Sequence, residues 1–193
     1  TLELARRTKL QIYAVDSNPE SVKRARRKLD DAGLYGERVT IVLSKSGHAP
    51  FPNYFADLVV SGRSVAGKNA TSFRSEEMAR MLKPYGGMAL IGPPGKMLEK
   101  RRGPLAGAGE WTHQYSGPGN TTCSKDSIVR GPLGLLWFSD LSLGMPSRHG
   151  RAPAPLFFKG RLFIEGMDGL KCVDAYNGRF LWEMPLPGIL RPL

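Results

Sequence analysis

The carboxylate whose position most suggests chemistry is Asp16. It ends a short, largely apolar run from Leu10 to Val15 and precedes Ser17-Asn18-Pro19-Glu20. A run of that kind reads as a buried parallel strand, and ligands of open α/β sheets sit beyond the carboxyl ends of their strands. A carboxylate there can accept two hydrogen bonds from a ribose diol. The competing reading makes Asp16 a helix-capping residue.

Other reactive residue types are dispersed. Cys123 and Cys172 lie 49 positions apart with no CxxC or CxxH companion, a spacing that defines neither a zinc site nor a disulfide framework. His48, His113 and His149 are scattered and read as hydrogen-bonded loop residues. No metal site is expected, and no general base stands out, so the catalytic residues stay unassigned. The run Lys23-Arg24-Ala25-Arg26-Arg27-Lys28 is the densest contribution to a formal charge of +11. It reads as the solvated side of an amphipathic helix. With few aromatics interleaved it offers no base-stacking platform, and nucleic-acid binding is not expected.

The elements that must position Asp16 follow from periodicity and punctuation. Leu2, Leu4 and Ala5 look like the last turns of a helix. Ser17-Asn18-Pro19-Glu20 is a helix start, with a capping residue, a proline in the first turn and an early acid. Val22, Ala25, Leu29 and Ala32 continue it at helical spacing to Gly33. Val39–Leu43 and Phe55–Val60 read as strands and Phe73–Leu82 as a helix. Lys83-Pro84-Tyr85-Gly86-Gly87 stops that helix, and Met88–Ile91 is a further strand. Strands alternating with helices predict an α/β Rossmann-like layer around a parallel sheet with right-handed crossovers.

After Ile91 the grammar changes. Gly (23 in the chain) and Pro (15) are concentrated there, and a basic Gly/Pro-rich linker is expected over 96–109. Beyond it, Pro155–Phe158, Arg161–Glu165, Leu170–Asp174 and Arg179–Glu183 read as short strands. Gly166–Gly169 and Asn177-Gly178 are the turns between them. Residues 110–193 are thus expected to form an antiparallel all-β unit. Hydrophobic residues make up 41% of the chain, ordinary globular usage. No apolar run approaches the roughly 18 residues of a membrane span. Thr1-Leu2-Glu3-Leu4 is no apolar leader, and a helix under way at the first residue predicts a piece of a longer protein.

Two resemblances sharpen this. VDSNPESVKRAR, PFPNYFADLVVS and EEMARMLKPYGGMALIG, in that order over about residues 1–95, resemble class I S-adenosylmethionine-dependent methyltransferases. The last string is the most specific, although Tyr85 is inserted into the family's Leu-Lys-Pro-Gly-Gly turn. The resemblance implies that Asp16 holds the ribose hydroxyls of S-adenosylmethionine, that Ser17 and Asn18 flank ribose and adenine, and that Ser61 faces the methyl-transfer cleft. It also implies a glycine-rich turn ahead of Thr1 and an acid after the Val39–Leu43 strand. The latter stretch is Ser44-Lys45-Ser46-Gly47-His48, which places Ser44 and Lys45 beside the adenine without a carboxylate; a lysine cannot accept that hydrogen bond.

GRLFIEGMDGLKCVDAYNGRFLWEMPLPG resembles one blade of the pyrroloquinoline-quinone-type β-propellers, through Val173-Asp174-Ala175, Asn177-Gly178 and Leu181-Trp182. The resemblance implies structural roles for these positions, with Trp182 packed between blades. Propellers need about four to eight blades, and one blade shows no quinone constellation, so pyrroloquinoline quinone is not expected. The reading is a methyltransferase-like domain fused to a propeller segment. Its rivals are a propeller-based binding module with a degenerate methyltransferase domain, for which a protein partner is implied, and a quinone-dependent oxidoreductase. The methyltransferase half implies the cytoplasm and the propeller half export, so compartment stays open.

Overall fold

The computed structural model describes residues 1–45, 48–66, 75–139 and 153–189. Ser46, Gly47, Phe73, Arg74 and His149, which figure in the sequence reading, lie outside the described residues. Helix α1 (Leu2–Arg7) leads into β1 (Ile12–Asp16), α2 (Pro19–Asp30) and β2 (Val39–Leu43). Then come β3 (Leu58–Val60), α3 (Gly62–Val65), α4 (Ser75–Met81), β4 (Met88–Ile91) and β5 (Leu98–Arg101). The chain continues to β6 (Leu156–Phe158), β7 (Arg161–Gly166), β8 (Gly169–Asp174) and β9 (Phe180–Pro185).

Helix α2 forms where its caps and spacing dictate. The Asn18 side chain accepts from the backbone N of Ser21 at 2.9 Å, Pro19 opens the first turn, and Arg27 and Lys28 close the last, where cations meet the negative end of the helix dipole. Val22 and Leu29 fall on one face, seven residues apart, and bury against Ala5, Val39 and Ile41. This small core glues α1 and α2 to the β1–β2 pair. β1 and β2 run parallel with Ile12 opposite Val39 and Asp16 opposite Leu43.

The expected single parallel sheet is divided. Among the described strands, β1 pairs only with β2, and β3 pairs with β4 in a separate three-stranded sheet, β3–β4–β5. β1 is consequently half exposed rather than buried, with Tyr13 and Asp16 open, because only one strand flanks it and α2 covers one face. The Phe55–Val60 strand shrinks to three residues for a local reason. Tyr54 and Ala56 donate their backbone N–H groups to the carbonyls of Arg80 and Met81, and Lys83 N donates to Ala56 O. The residues before Leu58 thus pair with the end of α4 instead of extending a ladder. Tyr13 packs edge-on against Phe55, with ring centroids 4.7 Å apart, and Phe55 stacks on Phe51.

Pro84 and the left-handed Tyr85 and Gly86 (φ 57° and 112°) end the α4 region. Gly87 is required there, since a Cβ would stand 2.5 Å from the Lys83 carbonyl oxygen. Residues 98–101, assigned by sequence to the linker, instead form β5, antiparallel to β4 with Met88 opposite Arg101. The strand's residues, Leu98-Glu99-Lys100-Arg101, are all exposed and carry no apolar alternation, so the backbone ladder alone defines it.

The C-terminal sheet is a four-stranded antiparallel meander, β6–β7–β8–β9. Ile164, Cys172, Val173 and Tyr176 are buried in it. Burial pushes the Cys172 thiol and the Tyr176 phenol up, the latter to about 12. The Asn177-Gly178 connection is longer than a two-residue hairpin: Val173 pairs with Phe180, and Asp174 Oδ1 accepts from the backbone N of Tyr176 and Asn177 across the turn. Trp182 lies on β9, opposite Cys172, its ring 6.0 Å from that of Phe163. Trp111 adds one antiparallel bridge at Phe157 on the free edge of β6.

Sheet and N-terminal half meet at a charged junction. Lys83 Nζ lies 2.5 Å from Asp174 Oδ2 and 2.8 Å from Asp57 Oδ1. Arg179 Nε reaches the same Asp57 oxygen at 3.3 Å, and Asn177 Nδ2 donates to Phe55 O at 3.4 Å. Tyr176 packs edge-on against Tyr54 and stacks with Tyr85. Gly160 sits against the Tyr85 ring, where a Cβ would come within 2.8 Å of Cδ2. Tyr85, in the turn that ends the α4 region, is thus a main contact between the halves.

Candidate functional site

Five of the six predicted site residues, all but Ser61, lie at the carboxyl ends of β1 and β2. Asp16 is exposed, and its Oδ1 accepts from the backbone N of Asn18 at 2.8 Å. Asn18, not Asp16, caps α2, so the capping alternative for Asp16 does not hold. Among the described residues the other carboxylate oxygen accepts no hydrogen bond, and the carboxylate faces solvent next to Ser17 and Asn18, both exposed. Ser44 lies alongside: its backbone N donates to the Asp16 carbonyl at 3.0 Å, and its hydroxyl donates to His48 O at 2.7 Å. Lys45 follows, exposed. Parallel pairing of β1 with β2 brings these five residues to one rim.

Ser61 stands apart. It follows β3, in the other sheet, and caps the short α3, its Oγ accepting from Ser64 N at 3.4 Å. The Ser61 carbonyl accepts from Ser64 Oγ, which in turn accepts from Gly92 N at 3.1 Å. This ties the carboxyl ends of β3 and β4 together. No hydrogen bond joins Ser61 to Asp16 among the described residues.

His48, Ala49 and Phe51 are held by a cluster that sequence reasoning did not single out. Buried Glu77 on α4 accepts from Arg80 Nη2 at 2.6 Å and from Ala49 N at 2.9 Å, and lies 3.1 Å from His48 Nδ1. Arg80 reaches on to the carbonyls of Phe51 and Ala49. The Arg80 hydrogen bond, helped by the Ala49 N–H and by the Arg80 and His48 charges, holds the Glu77 carboxyl down at about 2 against the opposing effect of burial. Glu77 in turn raises the Arg80 guanidinium. The available signal was the Glu–Arg pair at i,i+3 within Ser75–Met81, a spacing that makes helix neighbours. Among the described residues no three His, Cys, Asp or Glu side chains converge as a metal site, and no helix is long and apolar enough to cross a membrane.

This N-terminal arrangement has a counterpart among known families. Residues 1–86 match the family model of a methyltransferase domain. The match supports a methyltransferase domain in the N-terminal part of the chain, with the Asp16 rim and the Glu77 cluster inside it. The antiparallel sheet that follows lies outside the matched residues. No curated protein and no solved structure was found to match the chain.

Proposed function

We propose that the methyltransferase domain binds S-adenosylmethionine at the β1–β2 rim and serves methyl transfer to a nucleophile. The observation that carries this reading is the Asp16 carboxylate, with one oxygen held by the Asn18 N–H and the other open at the end of a parallel strand, inside the family-matched region. Held in this way, the free oxygen is aimed to accept from ribose hydroxyls without losing rotamer freedom on binding. Ser17 and Asn18 flank the ribose and adenine, and Ser44 and Lys45 border the adenine. The Glu77–Arg80 cluster fixes the backbone from Ala49 to Phe51, downstream of that border. When bound, the cofactor supplies an electrophilic methyl carbon on its sulfonium. Catalysis in this reading is positioning of the acceptor against that carbon. Ser61, its hydroxyl engaged as a cap, shapes the neighbouring strand end. The β6–β9 meander is assigned as one propeller-type blade, with a structural role and no quinone.

A second reading has one observation in its favour. Lys45 puts an exposed cation where the family resemblance asks for an acid, which suits a binding module whose cofactor site has decayed. Calorimetric titration of S-adenosylhomocysteine separates the two. Saturable binding that Asp16→Ala weakens about tenfold or more, the worth of hydrogen bonds to a charged group, supports methyl transfer. Absence of binding to the unaltered chain favours the module.

A further inference from the structure

Where the N-terminal half meets the C-terminal sheet, a cleft of about 480 Å³ opens, with Lys83, Tyr85, Phe158, Lys159, Arg161 and Arg179 among its walls. That volume falls in the roughly 300–1,000 Å³ range of small-molecule sites. Its charges do not balance: Lys83, Lys159, Arg161 and Arg179 line it against the single wall carboxylate of Asp174. Lys83 is held by Asp57 and Asp174, and Arg179 shares Asp57 from an exposed position. Lys159 and Arg161 are exposed, and among the described residues no carboxylate lies within ion-pair distance of either side chain. The Glu110 carboxylate meets Lys159 only at its backbone N, at 3.3 Å.

The local backbone holds these cations at the cleft. Phe158 pairs with Arg161, so Lys159-Gly160 is a two-residue hairpin turn, with φ of 47° and 76°. Turns with both residues at positive φ favour Asn-Gly; a lysine stands in the first position here. Its ammonium lies 5.0 Å from the centroid of the Phe158 ring. Gly160 lets the turn close against Tyr85, so flat rings and uncompensated cations share one concavity. By contrast, the hollow of about 390 Å³ along α2, walled by Glu20, Lys23, Arg24, Arg27 and Lys28, is built from one helix and contains no ring.

We propose that the junction cleft binds a phosphorylated small molecule with a planar body, of nucleoside monophosphate size. Guanidinium forks match phosphate oxygens in geometry and charge, which suits Arg161 and Arg179, with Lys159 as a point charge. Phe158, 41% exposed in the wall, offers its ring to the planar body, while Tyr85, held by Tyr176 and Gly160, closes the cleft behind it. This site is separate from the Asp16 rim and does not depend on the methyl-transfer reading.

The test is a calorimetric titration of uridine 5′-monophosphate into the whole chain, with uridine and inorganic phosphate in parallel. Saturable binding of the nucleotide is expected, with both part-ligands weaker. Lys159→Gln/Arg161→Gln should weaken it about tenfold or more, with circular dichroism confirming the fold. Lys23→Gln/Arg27→Gln, which removes the same charge elsewhere, should change it by about twofold at most at physiological salt. Asp16→Ala should leave it intact. The proposal is overturned by absence of saturable binding, by equal loss in the α2 control, by uridine binding as tightly as the nucleotide, or by loss of binding in Asp16→Ala.

Discussion

Replacing Lys83 by Met tests whether the junction holds the two halves together. The substitution keeps the aliphatic stem and removes the charge. The Lys83 and Asp174 side chains are only 9% and 7% exposed, whereas Asp57 is 42% exposed. Loss of the ammonium therefore leaves Asp174 Oδ2 buried without a cation, while Asp57 keeps Arg179 and water. Breaking a buried ion pair from one side costs about 3–5 kcal/mol. Asp174 retains two backbone donors on Oδ1, so the lower end, about 3 kcal/mol, is expected. For a chain of this length that is a fall of about 6–12 °C in Tm. Asp174→Asn should cost less, about 1–2 kcal/mol, because Lys83 keeps Asp57 and the amide avoids a buried unpaired charge. The assay is urea unfolding read by tryptophan fluorescence and far-UV circular dichroism together. Trp111, Trp137 and Trp182 all lie in the C-terminal half, whereas α2, the longest helix described, lies in the N-terminal one. Both signals should shift together in Lys83→Met. A loss below about 0.5 kcal/mol, the scatter of ordinary surface substitutions, would refute the argument.

The Glu77 cluster predicts acid sensitivity. Its carboxyl titrates at about 2 in the fold against 4.5 when free, so its contribution is whole above pH 4.5 and is lost as pH falls from there towards 2. The difference is worth up to about 3 kcal/mol, and urea midpoints against pH should show this loss in the unaltered chain and a flatter profile in Glu77→Gln. Asn18→Ala removes the α2 cap seen at Ser21 N and should cost about 1 kcal/mol, lowering Tm by about 2–4 °C; an unchanged melt would mean the cap is replaced by water.

Much of the N-terminal half was legible because its signals are local. Val39–Leu43 and Met88–Ile91 carry apolar runs between clear punctuation, and the structure places strands over those same residues. Helix α2 follows from Asn18, Pro19 and its Val22/Leu29 spacing. What was misread depended on partners. β5 is all exposed and exists only through pairing with β4. β3 lost its first half to hydrogen bonds with the end of α4. The division into two sheets is a matter of which strand lies beside which, and strand composition does not encode that. In the rim, the adjacency of Asp16 and Ser44 follows from parallel pairing of two strands that were both visible. The Glu77–Arg80 hold on Ala49 and Phe51, and the Lys83 bridge to Asp174, join residues 28 to 91 positions apart, and no pattern in the chain marks such pairs.

The central claim is that the Asp16 rim binds the methyl donor. Hydrogen–deuterium exchange of the whole chain, with and without saturating S-adenosylhomocysteine, tests it most directly. The account predicts slowed exchange over residues 12–18 and 43–45 and unchanged exchange over β6–β9. Unchanged exchange over 12–18, or protection confined to the C-terminal sheet, would contradict it.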